Sequence, residues 1–121
     1  MTSAQTSRAK HLVDKQIAMS GQTLDALHDA GLPDDTVVQL DFSFIAPNTK
    51  AAEALVAHLQ ANDCLDLAYE RTGGFLSRKC VVSGKTHPTQ VNTQVLAEWL
   101  PWMVAQGILY DCEFDGWGAE V

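Results

Sequence analysis

Val37-Val38-Gln39-Leu40-Asp41-Phe42-Ser43-Phe44-Ile45-Ala46 sets Leu40, Phe42 and Phe44 on one parity and Gln39, Asp41 and Ser43 on the other. Side chains of an extended chain point alternately to opposite faces, so the pattern predicts one strand with a buried face and a face that is wet or covered by something polar. Pro47 ends it. Asn48 is placed to cap a short helix whose inner stripe is Ala52, Leu55, Val56 and Leu59, and Asn62 stops that helix.

Downstream the alternation returns at Leu65, Leu67 and Tyr69, and Gly73-Gly74 offers the left-handed residues of a tight hairpin, with Leu76, Cys80 and Val82 on the return strand. A two-residue loop would pair Leu67 with Cys80 and Leu65 with Val82, and would set Glu70 near Lys79; Arg78 would snorkel at the sheet edge. Thr86-His87-Pro88-Thr89 reads as the start of a second long helix carrying Val91, Val95, Trp99 and Met103, with Leu96 and Leu100 beside them. Pro101 should bend it or end its regular part near Leu100, and Gly107 should release the chain into a last strand, Ile108 to Asp115. Upstream, Val13, Ile17, Ser20, Leu24 and Leu27 form one stripe of an amphipathic helix that Gly21 weakens and that Gly31 and Pro33 stop.

The order is a helix followed by β-α-β-β-α-β. This predicts an α+β, ferredoxin-like split β-α-β-β-α-β fold with a four-stranded antiparallel sheet, ordered four, one, three, two, and an extra N-terminal helix. Residues 1–6 read as a disordered N-terminus and 7–121 as a single domain, with the N-terminal helix over 7–31 and the core over 36–118. Both crossover helices would cover one sheet face. The N-terminal helix would cover the other face, extend the helical layer or pair with a second chain.

The chain's 121 residues suit one domain, and its net charge of −7 opposes direct nucleic-acid binding, which needs cations to displace phosphate counterions. A basic protein partner fits the charge better. No apolar run reaches the roughly 20 residues of a membrane span, and the polar first residues lack the apolar stretch of a secretory signal, so a cytoplasmic protein is expected. Cys64, Cys80 and Cys112 are odd in number and widely spaced, as expected of reduced core fillers.

Enzyme signatures are lacking. His11, His28, His58 and His87 have no metal-ligand spacing, no Gly-x-Ser-x-Gly elbow occurs, and Gly84-Lys85-Thr86 has Lys79 where a phosphate loop needs glycine. Ile45-Ala46-Pro47-Asn48 lacks the arginine and glycines of an acylphosphatase loop. No catalytic residue, cofactor or metal is assigned.

The end of the chain is its most specific stretch: Glu113-Phe114-Asp115-Gly116-Trp117-Gly118, directly after the last expected strand. It resembles the C-terminal signature of the RraB family, protein regulators that inhibit ribonuclease E, with Phe114 where the family usually has Tyr. The likeness runs from about Leu24 to Gly118, with Gly31-Leu32-Pro33 leading into an aromatic strand and then an Ala/Leu helix. It implies a bacterial, cytoplasmic, non-enzymatic regulator that binds a basic protein surface, ribonuclease E above all, and modulates RNA decay. The alternative is a ferredoxin-like small-molecule sensor or generic interaction module, with a homodimer as a further option.

If Leu40, Phe42 and Phe44 face the helices, then Asp41 faces away, as do Asp111 and Glu113 on the neighbouring last strand. The expected partner-binding residues are Asp41, Asp111, Glu113, Asp115 and Trp117; Asp115 and Trp117 come from the resemblance and the other three from the face assignment. Trp117 would serve as a plug at the end of the core or as a partner contact, and the carboxylates as a docking patch or as a solvated face.

Overall fold

A computed structural model describes residues 2–32, 36–74 and 76–119. Pro33, on which a sequence reading falls, lies outside the described residues. The first helix, α1, spans Ser3–Asp29 and opens on a reciprocal cap, in which the Thr2 hydroxyl accepts from the Gln5 N–H (3.1 Å) and the Gln5 side chain accepts from the Thr2 N–H (2.9 Å). It closes on Gly31 at φ +95°: the Gly31 and Leu32 N–H groups return to the carbonyls of His28 and Leu27, a left-handed stop that glycine adopts without cost.

The buried side of α1 is Leu12, Gln16, Ser20, Leu24 and Leu27. The stripe expected from the sequence is therefore turned in its first half. Val13 is only half-buried and Ile17 is 44% exposed, because a polar side chain, Gln16, has a partner inside while Ile17 does not. Gly21 does not interrupt the helix.

The expected first strand is two. The short β1 (Val37–Val38) pairs with β5 (Thr89–Gln90), and β2 (Leu40–Ala46) carries the alternation, with Leu40, Phe42, Phe44 and Ala46 buried. Asn48 caps α2 (Thr49–Ala61) by accepting from the Ala51 N–H at 2.8 Å. Strand β3 (Leu65–Arg71) then pairs with β4 (Cys80–Lys85).

Their pairing corrects the sequence reading. Tyr69 lies opposite Val82 and Arg71 opposite Cys80, four residues from the expected register; Glu70 faces Val81 rather than Lys79. From Ala68 to Arg71 the slip is even and keeps each side chain on its face, so parity alone could not detect it, while an irregularity between Leu65 and Ala68 sets Leu65 opposite Lys85, three residues from the expected Val82. The connection is longer than Gly73-Gly74: the Thr72 N–H bonds the Lys79 carbonyl, Leu76 is 89% exposed, and Arg78 lies in the loop rather than on a strand.

Helix α3 spans Thr93–Leu109, so the segment from Thr86 to Gln90 is not its first turn. Asn92 starts it, accepting from the Val95 N–H at 2.8 Å, and the helix continues through Pro101. Gly107 does not release the chain. It stays helical and its carbonyl accepts the N–H groups of Tyr110 and Cys112, so the last strand, β6, covers Glu113–Ala119.

Strands β3, β4, β2 and β6 form one antiparallel sheet in that order. The fold is α+β. On one face α2 covers β3 and β4, α3 lies against β6, and α1 runs beside α3 and touches β6. Phe44 is the centre of the core, edge-on to Phe42 and Phe114 at 5.9 and 5.2 Å, with Trp99 closing the cluster. Two glycines make room for these rings: a Cβ at Gly84 would sit 2.7 Å from Phe42 Cζ, and one at Gly107 would sit 2.8 Å from Phe44 Cε1.

Candidate partner-binding surface

The surface is organised by β6 and by one irregularity in it. Phe114 lies opposite Phe44, yet Gly116, not Asp115, lies opposite Ser43, so Asp115 is the extra residue of a β-bulge. In a strand regular through Asp115, Trp117, three residues after Phe114, would lie on the other face. With the bulge Trp117 lies opposite the buried Phe42, and it packs half-buried against the core.

Helix α1 holds this strand by three polar contacts along its length. Arg8 Nη2 meets Glu113 Oε2 at 3.3 Å, Gln16 Nε2 donates to the Asp115 carbonyl at 3.3 Å, and Trp117 Nε1 donates to Ser20 Oγ at 2.8 Å. Trp, whose one polar atom is an N–H donor, can be drawn in only where an acceptor waits, and the buried Ser20 supplies it. Of the three options for the N-terminal helix, extension of the helical layer is the one adopted.

The five expected site residues do not form one patch. Asp111 is not on the strand: it is an exposed turn residue at φ +59°, with its N–H bonded to the Ile108 carbonyl. Glu113, half-buried, and Asp115, exposed, follow on β6. Asp41 is half-buried on β2, paired across the sheet with Lys85, whose Nζ lies 3.8 Å from Asp41 Oδ1. Glu113 lies opposite Ile45, four residues along β2 from Asp41, a separation of roughly 13 Å at the rise of an extended strand. Glu113 and Asp115 thus share the edge strand β6, with Asp111 in the turn just before it, and Asp41 stands apart.

The sheet face away from the helices carries Asp41, Ser43, Ile45, Val81, Ser83 and Lys85, from the alternation of β2 and β4. Nothing lies within 4 Å of where a Cβ would stand on Gly116 or Gly118. Their missing side chains help leave a shallow depression of about 330 Å³ there, bordered by Asp41 and Ser43.

Burial, then the nearby Asp111 carboxylate, pushes the Cys112 thiol up to about 11 from its ordinary 9.0. Cys80 and Cys112 are buried and free, and Cys64 is half-buried and free. Among the described residues no group of three His, Cys, Asp or Glu converges to hold a metal, and no helix is long and apolar enough to cross a membrane.

Sequence reasoning missed Gln16 altogether and counted Ser20 only as a small stripe residue. Their signal was present as polar residues four apart on an otherwise apolar stripe, but their partners lie about 100 residues away in sequence. Arg8, which meets Glu113 from 105 residues away, was missed for the same reason, and Lys85 was missed because it meets Asp41 only through the pairing of β2 with β4. No protein-family model and no curated protein matches this chain.

Proposed function

We propose that this chain is a ferredoxin-like, non-enzymatic regulator of the kind that RraB-type inhibitors of ribonuclease E represent, acting in the bacterial cytoplasm by occupying a basic protein surface and so modulating RNA decay. The observation that carries the reading is the run of carboxylates at Asp111, Glu113 and Asp115 along β6 and the turn just before it, two of them exposed, on a chain of net charge −7. Such an edge attracts a Lys- or Arg-rich segment and repels nucleic acid. The strand order β3-β4-β2-β6 and the joining of β2 to β3 and of β4 to β6 through helices support the fold assignment. The likeness of Glu113–Gly118 to the family's ending names ribonuclease E as the partner.

Trp117 serves this reading from behind: it fixes β6 on α1 and so positions the acidic edge. Asp41, engaged by Lys85 and remote from that edge, has at most a rim role.

The test is binding of the basic non-catalytic segment of ribonuclease E, measured by calorimetry at low and high salt. Asp111→Lys with Asp115→Lys should weaken binding at least about tenfold at low salt, the loss shrinking as salt rises, while Asp41→Lys should change it less than about threefold. Equal binding by the wild type and the double variant would overturn the proposal.

A further inference from the structure

The cations of this acidic chain are concentrated in one loop. Arg71, Arg78 and Lys79, three of its eight lysines and arginines, fall within residues 71–79, a stretch without an acid, while all 15 acids lie elsewhere. The stretch connects β3 to β4 and is bonded within itself. The Thr72 N–H donates to the Lys79 carbonyl, the Ser77 N–H to the Gly74 carbonyl, Arg71 Nη2 to the Ser77 carbonyl at 2.9 Å and the Lys79 N–H to the Ser77 hydroxyl at 3.3 Å. What the loop presents is Leu76, 89% exposed, between cations that are exposed themselves.

A fourth cation stands beside them. Cys80 Sγ lies 3.8 Å from both the Arg78 carbonyl oxygen and Thr49 Oγ1, so the return arm of the loop adjoins the first turn of α2, where Lys50 is exposed. The acids of the neighbouring elements sit behind the loop: Glu70 on β3, Glu53 on α2, which accepts from the Tyr69 hydroxyl at 2.7 Å, and Asp111, which borders one depression with Lys50. Cys80 pairs with Ala46, the last residue of β2, so Leu76, Arg78 and Lys79 project past the end of that strand. Exposed charges farther apart than about 8 Å are largely screened at physiological salt, so the net −7 of the whole chain does not govern what approaches this tip.

A lone exposed leucine is ordinary. A leucine at the apex of a bonded loop with cationic flanks is matched to an anionic lipid surface, where the apolar apex enters the boundary of headgroups and acyl chains and the cations stay among the phosphates. A nucleic-acid strand or an acidic peptide lies along a groove or a face, and a projecting tip offers neither. We propose that the β3–β4 loop docks this chain on an anionic lipid surface through Leu76, Arg71, Arg78 and Lys79, with Lys50 at the rim.

The test is co-sedimentation of the full chain with vesicles of phosphatidylcholine alone and of phosphatidylcholine mixed with phosphatidylglycerol, at low and high salt. The chain should partition to the mixed vesicles only, and less as salt rises. Arg78→Glu with Lys79→Glu should lower the partition coefficient at least about tenfold, and Leu76→Ser at least about threefold. Asp111→Lys with Asp115→Lys should keep vesicle binding, which separates this surface from the acidic edge; all variants are checked for an unchanged melting temperature. Absence of binding to mixed vesicles, equal binding to phosphatidylcholine, wild-type binding by either loop variant, or tighter capture of a single-stranded RNA through the same two cations would overturn the proposal.

Discussion

Two glycines show how tightly single residues are constrained here. At Gly84 and Gly107 an added methyl would press on the rings of Phe42 and Phe44, which belong to a rigid aromatic cluster and have little room to yield. Gly84→Ala and Gly107→Ala are each expected to cost about 1–3 kcal/mol in urea unfolding, the usual penalty of overpacking a core. Cys112 gives a pH signature. Its thiol is raised in the folded chain, so between about pH 9 and 11 the folded state keeps a proton that the unfolded state has lost, and stability must fall as pH rises through that window. Cys112→Ala should remove that part of the decline in chemical unfolding followed from pH 8 to pH 11. At this scale the sequence was informative about the core: Phe42, Phe44, Leu55, Leu59, Leu96, Leu100 and Met103 are all buried, because apolar periodicity reports burial directly.

Among the elements, α1 is the one whose role the sequence least disclosed. Its inner stripe contains Gln16 and Ser20, and only the folded chain shows why: both bond to β6. Ser20→Ala should leave the Trp117 N–H without its acceptor and cost about 1–3 kcal/mol, with a change in tryptophan emission on the same transition. Gly21→Ala should do the opposite, stabilising by about 0.5–1 kcal/mol in the same assay, since the methyl meets nothing and alanine favours helix. Element boundaries were legible where a cap stood in the right place, as at Asn48, and were misjudged where two signals competed. Pro88 suggested a helix start, but Asn92, with a side chain that can accept from the Val95 N–H, is the residue that begins α3. Gly107 suggested a stop, but its lack of a side chain serves contact with Phe44 inside the helix.

For the whole molecule, the number and sequence of the long elements could be read from alternation and stripe spacing, while the arrangement of charge on the surface could not. Glu113 and Asp115 share an edge because β6 carries both, with Asp111 in the turn just before it; Asp41 joins them only if strand positions are ignored, and the cations that answer Asp41 and Glu113 come from distant parts of the chain. The same arrangement makes α1 the cover of an outer strand. Beyond its pairing with β2, β6 meets α1, and the Asp115 carbonyl accepts from Gln16 instead of from another strand. Removal of residues 1–29 should therefore yield a chain that self-associates through β6, seen as concentration-dependent mass in light scattering, where the intact chain keeps its mass constant.

The bulge at Asp115 has a last implication, for changes in chain length rather than in residue type. Excising that one position would make β6 regular and leave Trp117 two residues from Phe114, on the same face, so a single-codon loss there should keep the indole beneath α1 and forfeit little beyond the Gln16 bond to the Asp115 carbonyl.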